Sequence, residues 1–462
     1  MTVASLHAPT LRSYLVSANH FPEKLYSLVD SYARAAIFNI FADGIINGHL
    51  VVDDDHGSHS FGNPDTSLPT VTLTVRKDRM WTRIMSSSDI GFSEAYLNGD
   101  FDVSSMKHLL DLWLDNRATL TGLSSTFSAL CSRYSAIAIG ALGIRQTLHM
   151  SRRNVEVAYD TSNSFFKCFL SDEMMYSCAI WSDAEGGPRG DLVGGPRPGD
   201  LEAAQLRKIH ALLAKARVRP GDRLLEFGSG WGAMAIQAAL LGCTVDTVTL
   251  SREQKAETEE RARKAGVAER VRVHLCDYRQ LPPEFAGAFD AFVSSEMIEA
   301  VGSRYLGQFF RILDWALKPD RATIVITATS QPEHRWSEYQ PDDFGRHYHW
   351  PNSQLPSATS LPVAVQSAVP GKFIFHNLED HGVHYPRTLR EWGRRLEANF
   401  SGAVVAELQS RHPQLCDPAA LAAFKRKWTY MFVYAEVGFA RAYTSLFCWT
   451  FARPENIIEP CD

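Results

Sequence analysis

The sequence predicts an α/β protein whose main domain is a doubly wound sheet, with a smaller, mainly helical N-terminal domain. Three observations carry this prediction. The stretch 222–254 reads as strand, glycine turn, helix and strand, and apolar runs then alternate with helical patterns as far as Thr329. A chain of 462 residues is also too long for one ordinary hydrophobic core. We therefore predict one domain over 1–150 and a second over 151–462.

The second domain is organised around a glycine-rich turn. Leu224–Phe227 is a short apolar run, typical of a buried parallel strand, and Gly228, Gly230 and Gly232 follow it. Glycine has no Cβ, so a ligand can approach the backbone of such a turn closely. Open α/β sheets bind ligands at the carboxyl ends of their strands, which is where this turn lies. The sequence therefore predicts a ligand site at the turn.

The residues around the turn distinguish between two ligands. Residues 228–233, G-S-G-W-G-A, fit the dinucleotide pattern, but that pattern needs an acid after the second strand. Here the second strand ends in Thr249, Leu250 and Ser251. An acid, Glu226, instead stands two residues before the first glycine. E-x-G-x-G resembles motif I of the class I S-adenosylmethionine (SAM) methyltransferases. We favour that Rossmann-like fold over a dehydrogenase or a purely structural turn.

The remaining pattern predicts further elements in both domains. In the first domain we expect helices over 22–47 and 89–99, a strand over 71–75 and a polar loop over 56–67. In the second domain five more apolar runs should be strands: 245–250, 271–275, 289–294, 323–329 and 445–453. Residues 331–400 read as loop and helix. The segment 183–200, rich in Gly and Pro, should be a flexible surface loop without regular structure.

Composition and charge argue against several classes of protein. The formal net charge of −5 disfavours a nucleic-acid-binding protein. The eight cysteines are scattered singly, so we expect neither a metal site nor a disulfide framework, and a reducing compartment fits best. We recognise no signal peptide and no apolar run of about 18 residues, the length that a membrane span needs. The chain is expected to be cytoplasmic.

Four motifs stand in a fixed order along the chain. They are Y-S-C-A (176–179), G-S-G-W-G (228–232), T-L-S-x-x-Q (249–254) and E-A-V-G (299–302). In this order they resemble the cyclopropane fatty acid synthase family, SAM-dependent enzymes that act on unsaturated acyl chains. The resemblance covers about 155–453, and 80–102 looks like the leader domain of that family. It implies an unsaturated phospholipid acyl chain as substrate, met at a membrane surface, and leaves a homodimer open.

The resemblance also implies roles for individual residues. Three match family positions that bind a bicarbonate ion beside the methyl group, and we expect them to be catalytic: Cys178, Glu299 and Tyr385. The residues that would hold SAM are Tyr176, Ser177, Glu226, Phe227, Gly228, Ser229, Gly230, Gly232, Thr249, Leu250, Ser251, Gln254, Asp277 and Tyr278. The expected cofactors are therefore SAM and bicarbonate.

The chemistry of the implied reaction explains why a base is needed. An alkene is a poor nucleophile, so the methyl group must be electrophilic and held within reach of the double bond. Methyl addition leaves a carbocation, and closing a cyclopropane ring requires a base to remove one proton. Methylation without ring closure, on a lipid or another natural product, is one alternative reading. A non-catalytic protein that binds SAM or lipid is another.

The chain departs from the family pattern at four positions. Ala158 and Ala300 stand where the family often has histidine, and Thr329 replaces a usual isoleucine. Thr327 stands where the family supplies His or Gln to bicarbonate. Because threonine cannot carry positive charge, Thr327 weakens the case for bicarbonate and ring closure but not for SAM binding.

Overall fold

The computed structural model describes the chain over 23–64, 67–120, 151, 154 and 161–456. The chain divides into two compact units, 1–128 and 129–462. The predicted domain boundary at residue 150 lies outside the described residues and remains a prediction. Ala158, one of the positions that depart from the family pattern, also lies outside them.

The described part of the N-terminal unit combines helices with a four-stranded sheet. Its elements are α1 (Glu23–Gly44), β1 (His49–Asp54), β2 (Gly57–Gly62), β3 (Val71–Val75), α2 (Arg79–Leu97), β4 (Phe101–Val103) and α3 (Met106–Asp115). The strand order is β2-β1-β3-β4, with β1 antiparallel to β2 and parallel to β3. Phe38 of α1 packs edge-on against Phe61 of β2 and Trp81 of α2, with ring centroids 5.1 and 5.3 Å apart.

Two predictions for this unit need correction. The expected loop over 56–67 contains a strand, Gly57–Gly62, which pairs with β1 along its whole length. Only Phe61 is buried in its sequence, G-S-H-S-F-G. This edge strand is therefore defined by main-chain pairing, and its sequence lacks the apolar alternation that would predict a strand. The helix expected at 89–99 begins earlier, at Arg79, and Ser88 interrupts it with a positive φ of 53°.

The second unit contains the predicted doubly wound sheet. Its strands are β5 (Arg223–Phe227), β6 (Thr244–Thr249), β7 (Val271–Leu275), β8 (Ala291–Ser295), β9 (Thr323–Ser330), β10 (Ile374–Asp380) and β11 (Ser445–Ala452). The order is β10-β11-β9-β8-β5-β6-β7. The strands β5 to β9 pair in parallel, and β11 is antiparallel to both of its neighbours. The predicted fold class is confirmed.

Helices cover the sheet and extend beyond it. They are α4 (Asn163–Lys167), α5 (Gly190–Val193), α6 (Asp200–Lys215), α7 (Ala233–Leu240), α8 (Arg252–Lys264), α9 (Ser303–Ala316), α10 (Phe344–Tyr348), α11 (Ser360–Ala368), α12 (Tyr385–Asn399), α13 (Gly402–Arg411) and α14 (Pro418–Ala440). Within the described ranges, no helix combines the length and apolar character that a membrane crossing requires.

The central strands of the sheet are buried on both faces. Successive residues of β5 point to opposite sides, so Leu225 and Phe227 join one hydrophobic cluster and Leu224 joins the other. The first cluster is aromatic: Phe227, Phe292 and Phe309 pack together, with centroids 4.8 to 5.9 Å apart. Burial on both faces explains why these strands read as continuous apolar runs.

The Gly/Pro-rich segment 183–200 differs from its prediction, because part of it is regular and docked. Asp183–Glu185 and Gly187–Arg189 are 3-10 turns, and Gly190–Val193 is the short helix α5. Asp191, which is buried, accepts two hydrogen bonds of 2.7 Å from Arg390. The segment is therefore held by arginines that lie some 200 residues away in sequence. Its own composition could not predict these contacts.

Candidate active site

The glycine turn after β5 leaves open space along its backbone. Gly228, Gly230 and Gly232 have positive φ values of 90°, 50° and 89°. A Cβ on Gly232 would lie only 2.6 Å from Thr258 Cγ2, so close packing requires glycine there. A Cβ on Gly230 would meet no described atom within 4 Å, which leaves room for a ligand to pass. The open space at Gly230 is consistent with the close ligand approach that the sequence predicts, and that approach stays a prediction.

Glu226 precedes the turn and offers an unused hydrogen-bond acceptor. Its side chain is buried, and its Oε2 has no hydrogen-bond partner among the described residues. Burial raises the pKa of Glu226 to about 8, although a hydrogen bond from Thr247 acts in the opposite direction. A buried acceptor without a donor is unfavourable unless a ligand supplies the donor. SAM carries both an ammonium group and hydroxyl groups, so the residues here fit it.

The segment after β6 folds against the same turn. Gly228 N donates to Val248 O at 3.0 Å, which joins the two strand ends. Thr249 Oγ1 donates to Gln254 Oε1 at 2.8 Å, and Ser251 Oγ caps α8 by accepting from Gln254 N. The structure therefore places the predicted T-L-S-x-x-Q residues, with Leu250 between them, beside the glycine turn.

Ser229 also belongs to this region, through its hydroxyl. Its Oγ accepts a hydrogen bond of 2.7 Å from Thr247 Oγ1, inside the protein. Since a hydroxyl can both donate and accept, Ser229 retains a donor for another partner.

Three predicted SAM ligands lie at the end of β5 and after β7, with side chains that are buried or already paired. The Phe227 ring is fully buried and packs on Tyr278, 5.6 Å away, so only its main chain could meet a ligand. Asp277 pairs with Arg279 through both carboxylate oxygens, at 2.7 Å each. The Tyr278 hydroxyl is buried without a partner among the described residues, and burial raises its pKa.

Aromatic packing brings the Y-S-C motif towards the glycine turn. The Phe166 ring lies 4.9 Å from Trp231 of the turn and 5.5 Å from Tyr176. Tyr176 also packs against Trp392, 5.3 Å away. Ser177 follows it, and its hydroxyl accepts a hydrogen bond from Lys208 Nζ.

The predicted catalytic residues Cys178 and Tyr385 converge on Glu296, which the sequence analysis did not select. Cys178 N donates to Glu296 Oε1 at 2.8 Å, and Tyr385 Oη donates to Glu296 Oε2 at 2.6 Å. Glu296 lies directly after β8, at the carboxyl edge of the sheet, and its own N donates to Thr327 O at 2.9 Å. The sequence feature that could have identified Glu296 is the presence of two acids, Glu296 and Glu299, after this strand.

The second acid, Glu299, lies beside the first. Its Oε1 accepts a hydrogen bond of 2.7 Å from Thr329 N, while its buried Oε2 has no partner among the described residues. Burial, followed by the charge of Glu296, raises the pKa of Glu299 to about 8. Glu299 is therefore protonated near neutral pH. Burial also raises the pKa of Glu296, against the hydrogen bonds from Tyr385 and Cys178 N and the charge of Lys208, which favour its ionised form.

The cluster favours a neutral thiol and a neutral phenol. Burial raises the pKa of Cys178 well above its usual range, and the Glu296 charge adds to this. Burial, again with Glu296, does the same to the pKa of Tyr385. Cys178 therefore contributes its backbone N–H, and its thiol is not a nucleophile.

Lys208 on α6 supplies a positive charge that favours the ionised form of Glu296, and it was also missed from the sequence. It is buried, and burial lowers its pKa to about 8 although Glu296 and Cys178 raise it. One lysine in an amphipathic helix carries no local sign of such a role. Thr327, the altered family position, donates instead to Ser295 Oγ at 3.2 Å.

The donors predicted for bicarbonate are thus in use. The Cys178 N–H and the Tyr385 hydroxyl both bind the carboxylate of Glu296. The described residues give no support to bicarbonate as a cofactor of this chain.

Comparison with known proteins gives a consistent picture. The family model described as mycolic acid cyclopropane synthetase matches residues 146–446. Tuberculostearic acid methyltransferase UfaA1 of Mycobacterium tuberculosis is 31% identical over 403 residues, 85% of each chain. Cyclopropane-fatty-acyl-phospholipid synthase of Escherichia coli K12 is 27% identical over 359 residues, 78% of this chain and 81% of that protein. Mycolic acid cyclopropane synthase CmaA1, solved with SAH and CTAB, has a similar fold (TM-score 0.52, 22% identity), covering 65% of this chain and 98% of that one.

Proposed function

Since the chain belongs to the mycolic acid cyclopropane synthetase family and is a SAM-dependent methyltransferase, we propose that it methylates a carbon–carbon double bond in a lipid acyl chain. The observation that carries the proposal is the pair of acids, Glu296 and Glu299, held at the sheet edge beside the glycine turn. A carboxylate in such a place can accept the proton that this reaction must release.

The residues proposed to hold SAM are those around the glycine turn. Glu226 would accept a hydrogen bond from it, and the backbone at Gly228 and Gly230 would lie against it. When bound, SAM supplies an electrophilic methyl group. The segment Thr249–Gln254 closes the site from the next strand.

The aromatic side chains near Tyr176 suit the other substrate. The ring centroid of Tyr176 lies 5.3 Å from that of Trp392 and 6.4 Å from that of Trp428. Trp392 also packs against Phe169, with centroids 6.1 Å apart. Apolar rings receive an acyl chain, and their faces stabilise a positive charge that develops on it. An aromatic environment of this kind would suit an unsaturated hydrocarbon better than a polar methyl acceptor.

We propose ring closure on a cis double bond of a phospholipid as the outcome, in line with the name of the Escherichia coli relative. The second candidate is methyl transfer without ring closure, in line with the name of UfaA1. Thr327, which pairs with Ser295, favours this candidate, because the family's His or Gln is missing.

A labelling experiment separates the two candidates. Cells that express the protein are grown with methionine carrying a trideuterated methyl group, and their lipid acyl chains are analysed by mass spectrometry. A cyclopropane retains two deuterons, because the base removes one from the added carbon. If the proton is lost from the acyl chain instead, the methyl branch retains all three deuterons. A methylene group on the chain would also retain two, but mild hydrogenation reduces it and leaves a cyclopropane ring intact. Cells that express Gly228→Val are the control, and equal label in both would refute the proposed function.

We propose that the lipid is met at a membrane surface. Leu192 and Val193 of α5 are 58% and 85% exposed, which is unusual for adjacent aliphatic side chains on a fixed segment. Arg189 lies one turn away in sequence. An apolar pair beside a basic residue suits insertion into an anionic lipid headgroup layer.

A further inference from the structure

We propose that Glu296 is the general base of this enzyme, a built-in carboxylate that makes turnover independent of bicarbonate. The inference rests on the proposed methylation of an alkene. It concerns which group takes the proton, whichever product forms.

The hydrogen bonds of Glu296 fix its carboxylate and leave it able to accept a proton. Cys178 N binds one oxygen at 2.8 Å and Tyr385 Oη binds the other at 2.6 Å. The side chain of Thr329 adds a further hydrogen bond that favours the charged form. A carboxylate has about four acceptor positions, so at least one remains for a proton.

The backbone of Glu296 indicates that its side chain has a use. Its φ is +51°, in the left-handed region that residues with a Cβ disfavour. Glycine would adopt this conformation without strain. A strained position that carries an acid, at the carboxyl edge of the sheet, is typical of a functional residue.

The two acids differ in the groups that stabilise a carboxylate. Lys208, Tyr385 and the Cys178 N–H all favour the charged form of Glu296, although burial raises its pKa. Glu299 Oε2 has no donor among the described residues, and burial and the Glu296 charge oppose the ionisation of Glu299. Two acids whose surroundings separate their protonation states are the arrangement that acid–base chemistry uses. Glu296, whose carboxylate receives hydrogen bonds at both oxygens, is the member that we assign as the base.

The proposed step balances without another reactant. The π electron pair of the alkene forms the new carbon–carbon bond, while the carbon–sulfur bond breaks and its electron pair stays on sulfur. Glu296 then takes a proton from the added carbon, and the C–H electron pair closes the third side of the ring. If the proton comes from a chain carbon instead, that pair forms a double bond. Glu296 ends neutral and returns its proton to solvent.

Purified enzyme, assayed with SAM and unsaturated phospholipid vesicles in carbonate-free buffer, tests the inference. We expect wild-type turnover to be unchanged when bicarbonate is added. Glu296→Gln should lower turnover by about 10²-fold, the lower end for losing an acid–base group, with SAM affinity by calorimetry within about threefold. The matched variant Glu299→Gln, which imitates a protonated acid, should lose about tenfold or less.

A glycine variant gives a readout beyond activity. Glu296→Gly relieves the strained backbone and removes the carboxylate, so it should remain folded and bind an external anion at the vacated donors. We expect ¹³C-bicarbonate to show a bound resonance with Glu296→Gly but not with wild type, and added bicarbonate to restore part of the turnover.

The inference is overturned if the wild type needs bicarbonate, or if Glu296→Gln stays within threefold of wild-type turnover. The labelling experiment on cells keeps these outcomes separate from failure of the proposed function. If no lipid carries label, the methylation itself is refuted, whereas bound ¹³C-bicarbonate in wild type refutes only the assignment of Glu296.

Discussion

Tyr385, the first residue of α12, donates a 2.6 Å hydrogen bond to Glu296, which follows β8. This bond lowers the pKa of Glu296. Tyr385→Phe should therefore raise that pKa and shift the acid limb of the pH–rate profile to higher pH. At pH values below this limb, turnover should fall by about 10- to 100-fold, which is the effect expected for loss of a hydrogen bond to a charged group. An unmoved acid limb, with the fold intact, would contradict this coupling.

Two glycines of the turn should respond differently to the same substitution. Gly230→Ala places a methyl group in open space, so we expect SAM affinity to fall at least tenfold while the left-handed backbone costs about 1 kcal/mol. Gly232→Ala drives the methyl group against Thr258, so its main effect should be on stability, about 2 kcal/mol or more. Calorimetric SAM titration and thermal unfolding of both variants measure the contrast. Equal losses of affinity would refute it.

Glu226 should make the SAM-free protein less stable as pH rises. The pKa of Glu226 is about 8 in the folded chain and about 4.3 in the unfolded chain. Between these two pH values the folded state keeps a proton that the unfolded state has lost. Unfolded chains then bind fewer protons, and stability falls with pH across this window. Glu226→Gln cannot ionise, so it should abolish this part of the pH dependence of stability and weaken SAM binding.

The control for Glu226 is Glu299→Gln, because its acid has a similarly raised pKa. It should flatten the pH dependence of Tm in the same way but keep SAM affinity within about threefold. If Glu226→Gln leaves SAM affinity unchanged, Glu226 does not contact the ligand.

Asp191 should hold the 183–193 segment in place. It is buried and binds Arg390 and Arg394, at 2.7 and 3.0 Å. Asp191→Asn leaves these arginines short of a partner, so we expect a loss of about 3 kcal/mol and new trypsin cleavage at Arg189 or Arg197. The exposed pair Asp102–Arg76 is the control, and Asp102→Asn should cost less than about 1 kcal/mol.

Leu192 and Val193 test the membrane-surface proposal. Replacing both with serine should lower binding to anionic phosphatidylglycerol vesicles in a sedimentation assay by about tenfold, because two exposed aliphatic groups no longer insert. Val363, 61% exposed on α11, provides the matched control, and Val363→Ser should leave vesicle binding unchanged. Equal binding by all three proteins would refute the assignment of this surface.

The sequence predicted the parallel strands well because their signal is local. β5, β6, β8 and β9 are buried on both faces, which favours runs of apolar residues, whereas β7 at the sheet edge alternates buried and exposed residues. β10 was missed because it is an edge strand with mostly exposed or half-exposed residues, I-F-H-N-L-E-D. Its place in the sheet depends on pairing with β11, about 70 residues later in the chain, which no local pattern reveals.

The site shows the same division between local and long-range information. The glycine turn and Thr249–Gln254 are short motifs, and the structure brings them together. Glu296 was visible as an acid after a strand, but only the fold shows that Cys178 and Tyr385 both point to it. Family resemblance suggested a free anion at those donors, whereas this chain supplies its own.

Helix α12 connects the protein surface with the proposed base. Its first residue is Tyr385, and within the next turn Arg387 donates to the carbonyls of Glu185 and Gly187, at 2.6 Å each. The docked segment and the Tyr385 hydroxyl are therefore connected through one helix. Displacement of this segment, for example by contact of Leu192 with a lipid layer, should disturb the hydrogen bond from Tyr385 to Glu296 and so change the basicity of Glu296.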